Sequence, residues 1–539
     1  MSSFLQEVVK EVCREERSLE DYIFILPSKR AGNFLKSSLA REIGKTLFAP
    51  QVFSVEGFIK EISGQKSTSR IALLFTLYEA YLEITPDEPE TYETFLQWAG
   101  TLLQDFMEID RYLVSSDTVF SYLSAIQEMN HWAVAPEKTP MIQGYLKFWE
   151  KLQPLYDRFT AKLLTKGEGH QGLLYKLAVQ RLPDYLEQTK GKRFIFAGFN
   201  ALNQAEGEII QSVLSDVDAD IYWDSDPYFL NDPIHDAGFF MRQYFSKWPY
   251  YTTRKPKGPQ PNFLNEKEIR IVGIPKQVSQ AKYVGNLLRD LQADNKHSLD
   301  STALILADED LLNPILHALP GEISPVNITM GYPLRETTAA GLFIQWLDLF
   351  IARDKAGWYV QRFLEFLAHP AVSELMADSE VNEAAALREH LVKNNTVFVK
   401  FSALRKLQFR SIVALKILFS DKRAPEEFLN DGQALLKELR QKEGIDPISK
   451  QGYLQMEQVL LELKASIKSF PHINDLKALK SMLLELLGSK SVDFVGNPGQ
   501  GLQIMGMLES RNLDFETVII TSVNEGILPA GKTVNSFIP

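Results

Sequence analysis

Apolar residues along this chain fall into two kinds of run. Short continuous ones are bounded by turn formers, and long ones recur at helical spacing. YIFILP at 22–27 is of the first kind and predicts a central parallel strand, because a strand covered on both faces has no polar alternation. An amphipathic helix at about 3–18 precedes it. The helix RAGNFLKSSLAREIG, capped by Gly44, the strand QVFSV and the helix EGFIKEIS follow it. The next such strand is FIFAGF at 194–199, followed by the helix NQAEGEIIQSVL and the strand ADIYWDS at 219–225. Between these blocks, about 70–190 is almost entirely helical in period, with turns at TPDEPE and APEKTP. A helical segment is thus predicted to interrupt an α/β domain.

The pattern then repeats. Lys255 to Pro261 is Pro-rich and polar and predicts a linker. After it come the strand IRIVGI at 269–274, the helix QVSQAKYVGNLLRDL, the strand TALILA at 302–307 and a helix near 309–319. Helical periodicity from about 337 to 488 interrupts this second block, which resumes with the strands LQIMGML and TVIITSV. The expected organisation is 1–70 plus 190–255 as one α/β domain, 71–189 as its insertion, 256–265 as linker, 266–336 plus 489–539 as the second α/β domain, and 337–488 as the second insertion.

Composition narrows the function without defining it. The 539 residues allow roughly three to four domain-sized units of about 100–200 residues each. Hydrophobic and charged shares of 45% and 24% are those of an ordinary globular protein. The single Cys13 excludes a disulfide framework or a cysteine-ligated cluster within the chain. The N-terminus has no apolar core of signal-peptide length, and no run approaches the roughly 18 apolar residues of a membrane helix, so no membrane association and a cytoplasmic location are expected. A net charge of -11 opposes nucleic-acid binding by bulk electrostatics and leaves it to local clusters. Three clusters qualify: Lys29 and Arg30 with Lys36 and Arg41; Lys190, Lys192 and Arg193; and Lys400, Arg405, Lys406 and Arg410. For each, a solvated face or helix-end charge is the favoured reading.

The last strand pair carries a resemblance. Its turn is Glu509-Ser510-Arg511-Asn512-Leu513-Asp514-Phe515, and after the second strand comes Asn524-Glu525-Gly526-Ile527-Leu528-Pro529. This frame resembles superfamily I helicases, and most closely the AddB-type subunits of bacterial helicase-nucleases, including those fused to a PD-(D/E)XK nuclease domain. The resemblance implies an α/β fold of two RecA-like, P-loop-NTPase-type parallel-sheet domains, each with a mostly helical insertion. It also implies a role in double-strand-break repair and recombination, with single-stranded DNA and an AddA- or UvrD-like motor subunit as partners. The chain ends on NSFIP just after a strand pair, so a fragment whose nuclease part lies beyond it is expected.

The residues of an ATPase are missing from this frame. A phosphate loop G-x-x-x-x-G-K-[ST] belongs between a strand and a helix. Gly44-Lys45-Thr46 follows a helix, and Gly531-Lys532-Thr533 lies in a Pro-containing loop; both read as a cap or a turn. In active relatives the strand corresponding to FIFAGF ends in magnesium-binding acids, whereas Ala197 and Gly198 stand here. Gly198, Phe199, Leu202 and Glu206 resemble the AddB-type segment Gly-Phe-x-x-Phe-x-x-x-Glu found where those acids are lost, with Leu202 in place of its second Phe. No cofactor and no ATPase or nuclease catalysis are therefore expected of this chain. Pro27, Ser28, Lys29 and Arg30 occupy the position of a family segment that contacts single-stranded DNA; the plain alternative is Ser28 as an N-cap beside two surface cations. Arg511 is expected to bind a phosphate or to pair with Glu509 or Asp514, the ion pair being favoured. Gly331 to Thr337 resembles a further family segment and also reads as a turn.

Other groups invite plainer readings. Asp105 and Glu108 share a helix face and could ligate a metal, but the eight His residues supply no accompanying set, so a solvated face is expected. Trp98, Trp132, Trp149, Tyr145 and Phe148 could stack on bases but have core spacing. Two rival functions remain. One is an ATP-dependent enzyme using GNPGQG at 496–501 as a non-standard phosphate loop; the other is a protein-interaction module without DNA affinity, which the negative charge favours.

Overall fold

In the computed structural model the chain is described from residue 3 to 538, except for 47, 123–139, 294–298, 378–380, 405, 407–415, 420–423, 443, 471, 493–500 and 532–535, and the side chains of 140–148. Arg405, Arg410, Trp132, most of GNPGQG, Lys532, Thr533 and the side chains of Tyr145 and Phe148 fall outside the described parts. The fold is mixed α/β with two separate four-stranded parallel sheets. By its contacts the chain divides into two compact units, one of 1–69, 101–330 and 495–539, the other of 70–100 and 331–494. Both sheets belong to the first unit.

The first sheet uses β1 (Tyr22–Leu26), β2 (Gln51–Ser54), β3 (Arg193–Ala197) and β4 (Ala219–Tyr222), ordered β2-β1-β3-β4. Its register sets Ile25 beside both Phe53 and Phe196. Alternate residues of β1 serve two cores. Ile23 and Ile25 face α3 (Val55–Ser63), α4 (Gln171–Gln188) and α5 (Gln204–Asp216), while Tyr22, Phe24 and Leu26 face α1 (Phe4–Cys13) and α2 (Lys29–Ile43). Burial on both faces is why YIFIL is apolar throughout. Phe58 of α3 is buried among Phe53, Phe194, Phe196 and Tyr185. Gly44 ends α2 at φ 63, as its place after the helix predicts.

The second sheet uses β5 (Thr302–Leu306), β6 (Val326–Ile328), β7 (Leu502–Gly506) and β8 (Thr517–Thr521), ordered β8-β5-β7-β6. β6, in PVNITM, is a strand that periodicity passed over, because three residues with a central Asn carry no apolar run. IRIVGI, by contrast, pairs with no strand among the described residues. Two helices follow it around β5, α6 (Gln277–Ala293) and α7 (Leu312–Ala318).

The proposed linker is zipped to the first sheet. Trp223 N donates to Lys257 O at 3.0 Å, Gln260 N to Ser225 O at 3.0 Å, and Asn262 N and Phe263 N both to Asp226 Oδ2 at 2.7 Å. Gly258 adopts φ 100, and a Cβ there would lie 2.4 Å from Trp223 O, so only glycine lets the chain run this close to β4.

In the second unit, helices Thr338–Ile351, Pro425–Gln441, Pro447–Ser469 and Leu476–Ser489 pack around Phe343, Trp346, Leu436 and Leu460. Phe75 stacks on Phe470 with ring centroids 4.1 Å apart. The 331–337 segment is a short strand, Tyr332–Pro333, antiparallel to Ser491–Val492, and its Thr337 caps the helix that follows.

Truncating Phe58→Ala should cost about 3–5 kcal/mol by chemical denaturation, because the ring leaves a cavity between sheet and helices. Phe48→Ala, at a side chain 82% exposed, should stay within about 0.5 kcal/mol.

Candidate functional site

Parallel sheets gather their open backbone groups and loops at the carboxyl ends of their strands. In the first unit, loops from that end of the first sheet meet the second sheet along a polar seam. Its first member is the loop after β1. Ser28 caps α2 by accepting from Ala31 N at 3.1 Å, which is the plainer of the two readings made of it. Pro27 is half-buried and Lys29 exposed. Arg30 is not the surface cation of that plainer reading: it is half-buried, and its Nη2 donates to Oε1 of Gln503 on β7 at 3.1 Å. Gln503 is fully buried, accepts from Asn327 Nδ2 at 2.6 Å and donates to Gly501 O at 3.0 Å. Among the described residues, Arg30 Nε and Nη1 are buried without a hydrogen-bond partner. Burial pulls the Arg30 guanidinium below its ordinary pKa, and Glu509 acts in the opposite direction.

The second member lies at the end of β3. Gly198 adopts φ 78, and a Cβ there would fall 2.2 Å from Asn512 Nδ2. Asn512 itself sits in the left-handed region at φ 61 and donates Nδ2 to Asp224 Oδ2 at 3.0 Å. The Asp224 carboxyl is pushed above the usual carboxylate range by the protein packed around it, an effect that the Asn512 bond opposes and Asp514 reinforces, although the residue as a whole keeps solvent contact. The third member is Asp514, whose Oδ2 accepts from Phe4 N at 3.0 Å in the first turn of α1.

The turn between β7 and β8 therefore rests on the first sheet. Glu509 is occupied within its own sheet, accepting from Thr329 Oγ1 at 2.5 Å and from Gly506 N at 3.2 Å. Arg511 is exposed and makes neither of the ion pairs expected of it, since Glu509 and Asp514 are turned to other donors. Glu7, Asp224, Asp226 and Asp514 line a recess of about 380 Å³ beside the seam, with Lys267 at its wall.

Elsewhere the structure corrects the sequence reading. Asp105 is no solvated face: it is buried, accepting from Ser536 Oγ at 2.6 Å and Phe537 N at 2.9 Å. Glu108 instead accepts from Gln104 and Arg111 on its own helix, and no group of His, Cys, Asp and Glu able to hold a metal is found among the described residues. Lys192 pairs with Asp21 at 3.2 Å, and Arg193 with Glu15, Asp218 and Asp220, so these two cations of the cluster are structural, while Lys190 is exposed. Trp149 is buried, and Trp98 donates to Glu90 at 2.9 Å.

A buried polar group escaped the sequence reading. Asp110 accepts from Tyr156 Oη and, at 3.0 Å, from Lys176 Nζ. His170 caps α4 through Nδ1, which accepts from Leu173 N at 3.1 Å, and its Nε2 lies 3.6 Å from Asp110 Oδ2. Gln503, Asn512 and Asp224 were likewise missed; the one signal for them was a Gln inside the otherwise apolar LQIMG. Compared with known proteins, the chain matches no family model and no curated protein.

Two outcomes test this geometry. Gly198→Ala should cost about 1–3 kcal/mol, and adding Asn512→Ala should recover the steric share but not the strain of positive φ, as a double-mutant cycle would resolve. Burial lowers the His170 pKa from 6.5 to about 4, with Asp110 opposing and Lys176 and Arg111 adding to it. A depressed folded pKa gives stability that is complete above pH 6.5 and is lost as pH falls toward 4, because the unfolded chain binds the proton first. Urea midpoints of His170→Asn, which keeps a capping oxygen, should fall less over that window than those of the parent chain.

Proposed function

We propose that this chain is an ATPase-inactive, superfamily I helicase-like scaffold of the AddB type that holds single-stranded DNA during double-strand-break processing, beside a separate motor subunit. In this reading the two parallel sheets are RecA-like domains, and the seam is the cleft in which an active relative would hold nucleotide. The observation that carries it is the Gly198–Asn512 contact. The strand end where magnesium acids would stand offers Ala197 and Gly198, Asn512 packs directly on Gly198, and that same Asn512 donates to the Asp224 carboxylate.

DNA contact is assigned to the exposed cations flanking the seam, Lys29 and Arg511, with Pro27 and Ser28 shaping the loop. Arg30 is a bridge between the sheets in this reading rather than a phosphate ligand. The acidic recess lies along the same seam, so a DNA strand must keep to the cationic side; few phosphates are neutralised and affinity is modest.

Fluorescence anisotropy with a labelled oligothymidylate at three salt concentrations tests the reading. The parent chain should bind, and Lys29→Ala with Arg511→Ala should weaken binding and reduce the slope of log K against log salt by about 1–2. Calorimetry with ATP and magnesium should show no saturable binding. Micromolar ATP affinity would restore the enzyme reading. Absence of DNA binding together with affinity for a basic peptide would transfer the function to the acidic recess.

A further inference from the structure

The recess of about 380 Å³ beside the seam has two unlike walls. One is acidic, with Glu7 on α1, Asp224 and Asp226 after β4, and Asp514 from the turn before β8. The other is aromatic and centres on Phe263, whose ring lies 4.6 Å from that of Phe229 and 4.8 Å from that of Tyr228. Asp226 ties the walls together. Its Oδ1 accepts from Tyr228 N at 2.8 Å, and its Oδ2 accepts from Asn262 N and Phe263 N at 2.7 Å.

Four carboxylates thus face a single ammonium, that of Lys267, and Lys267 pairs with none of them. Its Nζ lies instead 4.4 Å from the centroid of the Phe263 ring and donates to Phe263 O, four residues earlier in the same exposed segment. The aromatic wall therefore already holds a cation, and the acidic wall does not. Among the described residues, Asp224 accepts from Asn512 and Asp514 from Phe4 N, and neither forms an ion pair. The protein packed around Asp224 raises its carboxyl above the usual range, and the charge of Asp514 adds to this. A cation seated in the recess would offset both effects.

The geometry selects among cations. No group of His, Cys, Asp and Glu able to hold a metal ion occurs among the described residues, so these carboxylates are spread too widely to share one. A guanidinium suits them better, being planar, able to donate to separate acceptors at once, and stable over an aromatic face. The volume is near the lower end of the roughly 300–1,000 Å³ of small-ligand pockets, which is room for one side chain rather than a folded element. The rim is apolar. Tyr228 and Leu264 are 39% and 76% exposed, and Ile234 is 79% exposed beside His235, whose ring lies 5.0 Å from that of Tyr228. A free guanidino compound would leave these side chains bare, whereas apolar residues flanking an arginine would cover them.

We propose that this recess takes one arginine side chain from an extended segment of a partner polypeptide in which apolar residues flank that arginine. The guanidinium displaces Lys267 from the Phe263 ring and pairs with Asp224 and Asp514, and the flanking side chains pack on Tyr228 and Leu264. Lys267 is then a resident plug. It covers the ring while the recess is empty and lowers the partner's affinity by the cost of moving it. The chain carries a segment of this chemistry itself, the exposed Ile269-Arg270-Ile271, but its Arg270 is already paired with Glu268 at 2.6 Å. The recess shares no residue with the cations assigned to DNA, Lys29 and Arg511, so either site can fail without the other.

Calorimetric titration of the full chain tests this, with the end-blocked peptide Ser-Leu-Arg-Leu-Ser as probe and the same peptide carrying citrulline, which keeps the shape and loses the charge, as control. The arginine peptide should bind saturably and the citrulline peptide about tenfold or more weaker. Phe263→Leu should weaken binding about twofold to fivefold. Lys267→Ala should strengthen it about threefold, and the gain should persist at about 0.5 M salt, where distant charges are screened. A gain of affinity at an exposed side chain cannot come from a failure to fold. Equal binding of the two peptides, unchanged affinity in Lys267→Ala, or no saturation at millimolar peptide would each overturn the proposal. So would free arginine amide binding as tightly as the peptide, which would give the recess to a small molecule. Dimerisation of the free chain that Arg270→Ala abolishes would overturn it too, by giving the recess to a second copy.

Discussion

A sheet covered by helices on both faces has nowhere to place polar groups except at its strand ends, and the first sheet obeys this constraint throughout. Its β1 is apolar at every position because one alternate set packs on α3 to α5 and the other on α1 and α2. Charge is pushed to the two ends of the strands. At the amino ends, Arg193 gathers Glu15, Asp218 and Asp220, and Lys257 from the zipped segment joins Asp220 at 3.0 Å. At the carboxyl ends lies the seam with the second sheet. One end of the sheet is thus locked by ion pairs, and the other rests on the second sheet and its turn.

The seam is built from polar contacts rather than from shared core. Arg30 with Gln503, Asn512 with Asp224, and Asp514 with Phe4 N each join the two sheets through one hydrogen bond. Such bonds contribute about 0.5–1.5 kcal/mol net when both partners are neutral, and more where one is charged. Each of the three has an ionisable partner, Arg30, Asp224 or Asp514, and among the described residues Arg30 and Asn512 also keep buried atoms without a hydrogen-bond partner. In the proposed scaffold role, this is a joint suited to transmitting strain from a bound strand.

What could be read from the chain follows from the range of the forces involved. YIFIL, FIFA and TALIL were legible because they are buried on both faces, TVIIT because of its β-branched run although Val518 and Ile520 are exposed, and Ser28 and Gly44 because caps are local. The seam was not, since Arg30 and Gln503 are 473 positions apart and no pattern near either announces the other. Asp105 misled for a related reason: a carboxylate on a helix normally faces water, and a partner more than 400 positions away reversed that. IRIVGI has the composition of a strand, but composition cannot supply the neighbour a strand requires.

The bond between Asp514 and Phe4 N spans 510 positions, nearly the whole chain. During synthesis at about 5–20 residues per second, the amide of Phe4 emerges some 25–100 seconds before its acceptor. The four strands of the first sheet are all present once Tyr222 has left the ribosome, so that sheet can fold while the seam has only one side. For the remainder of translation, Gly198 and the amino end of α1 face solvent or a chaperone. A first sheet completed at that point would keep its carboxyl end uncovered until Asn512 and Asp514 had also emerged.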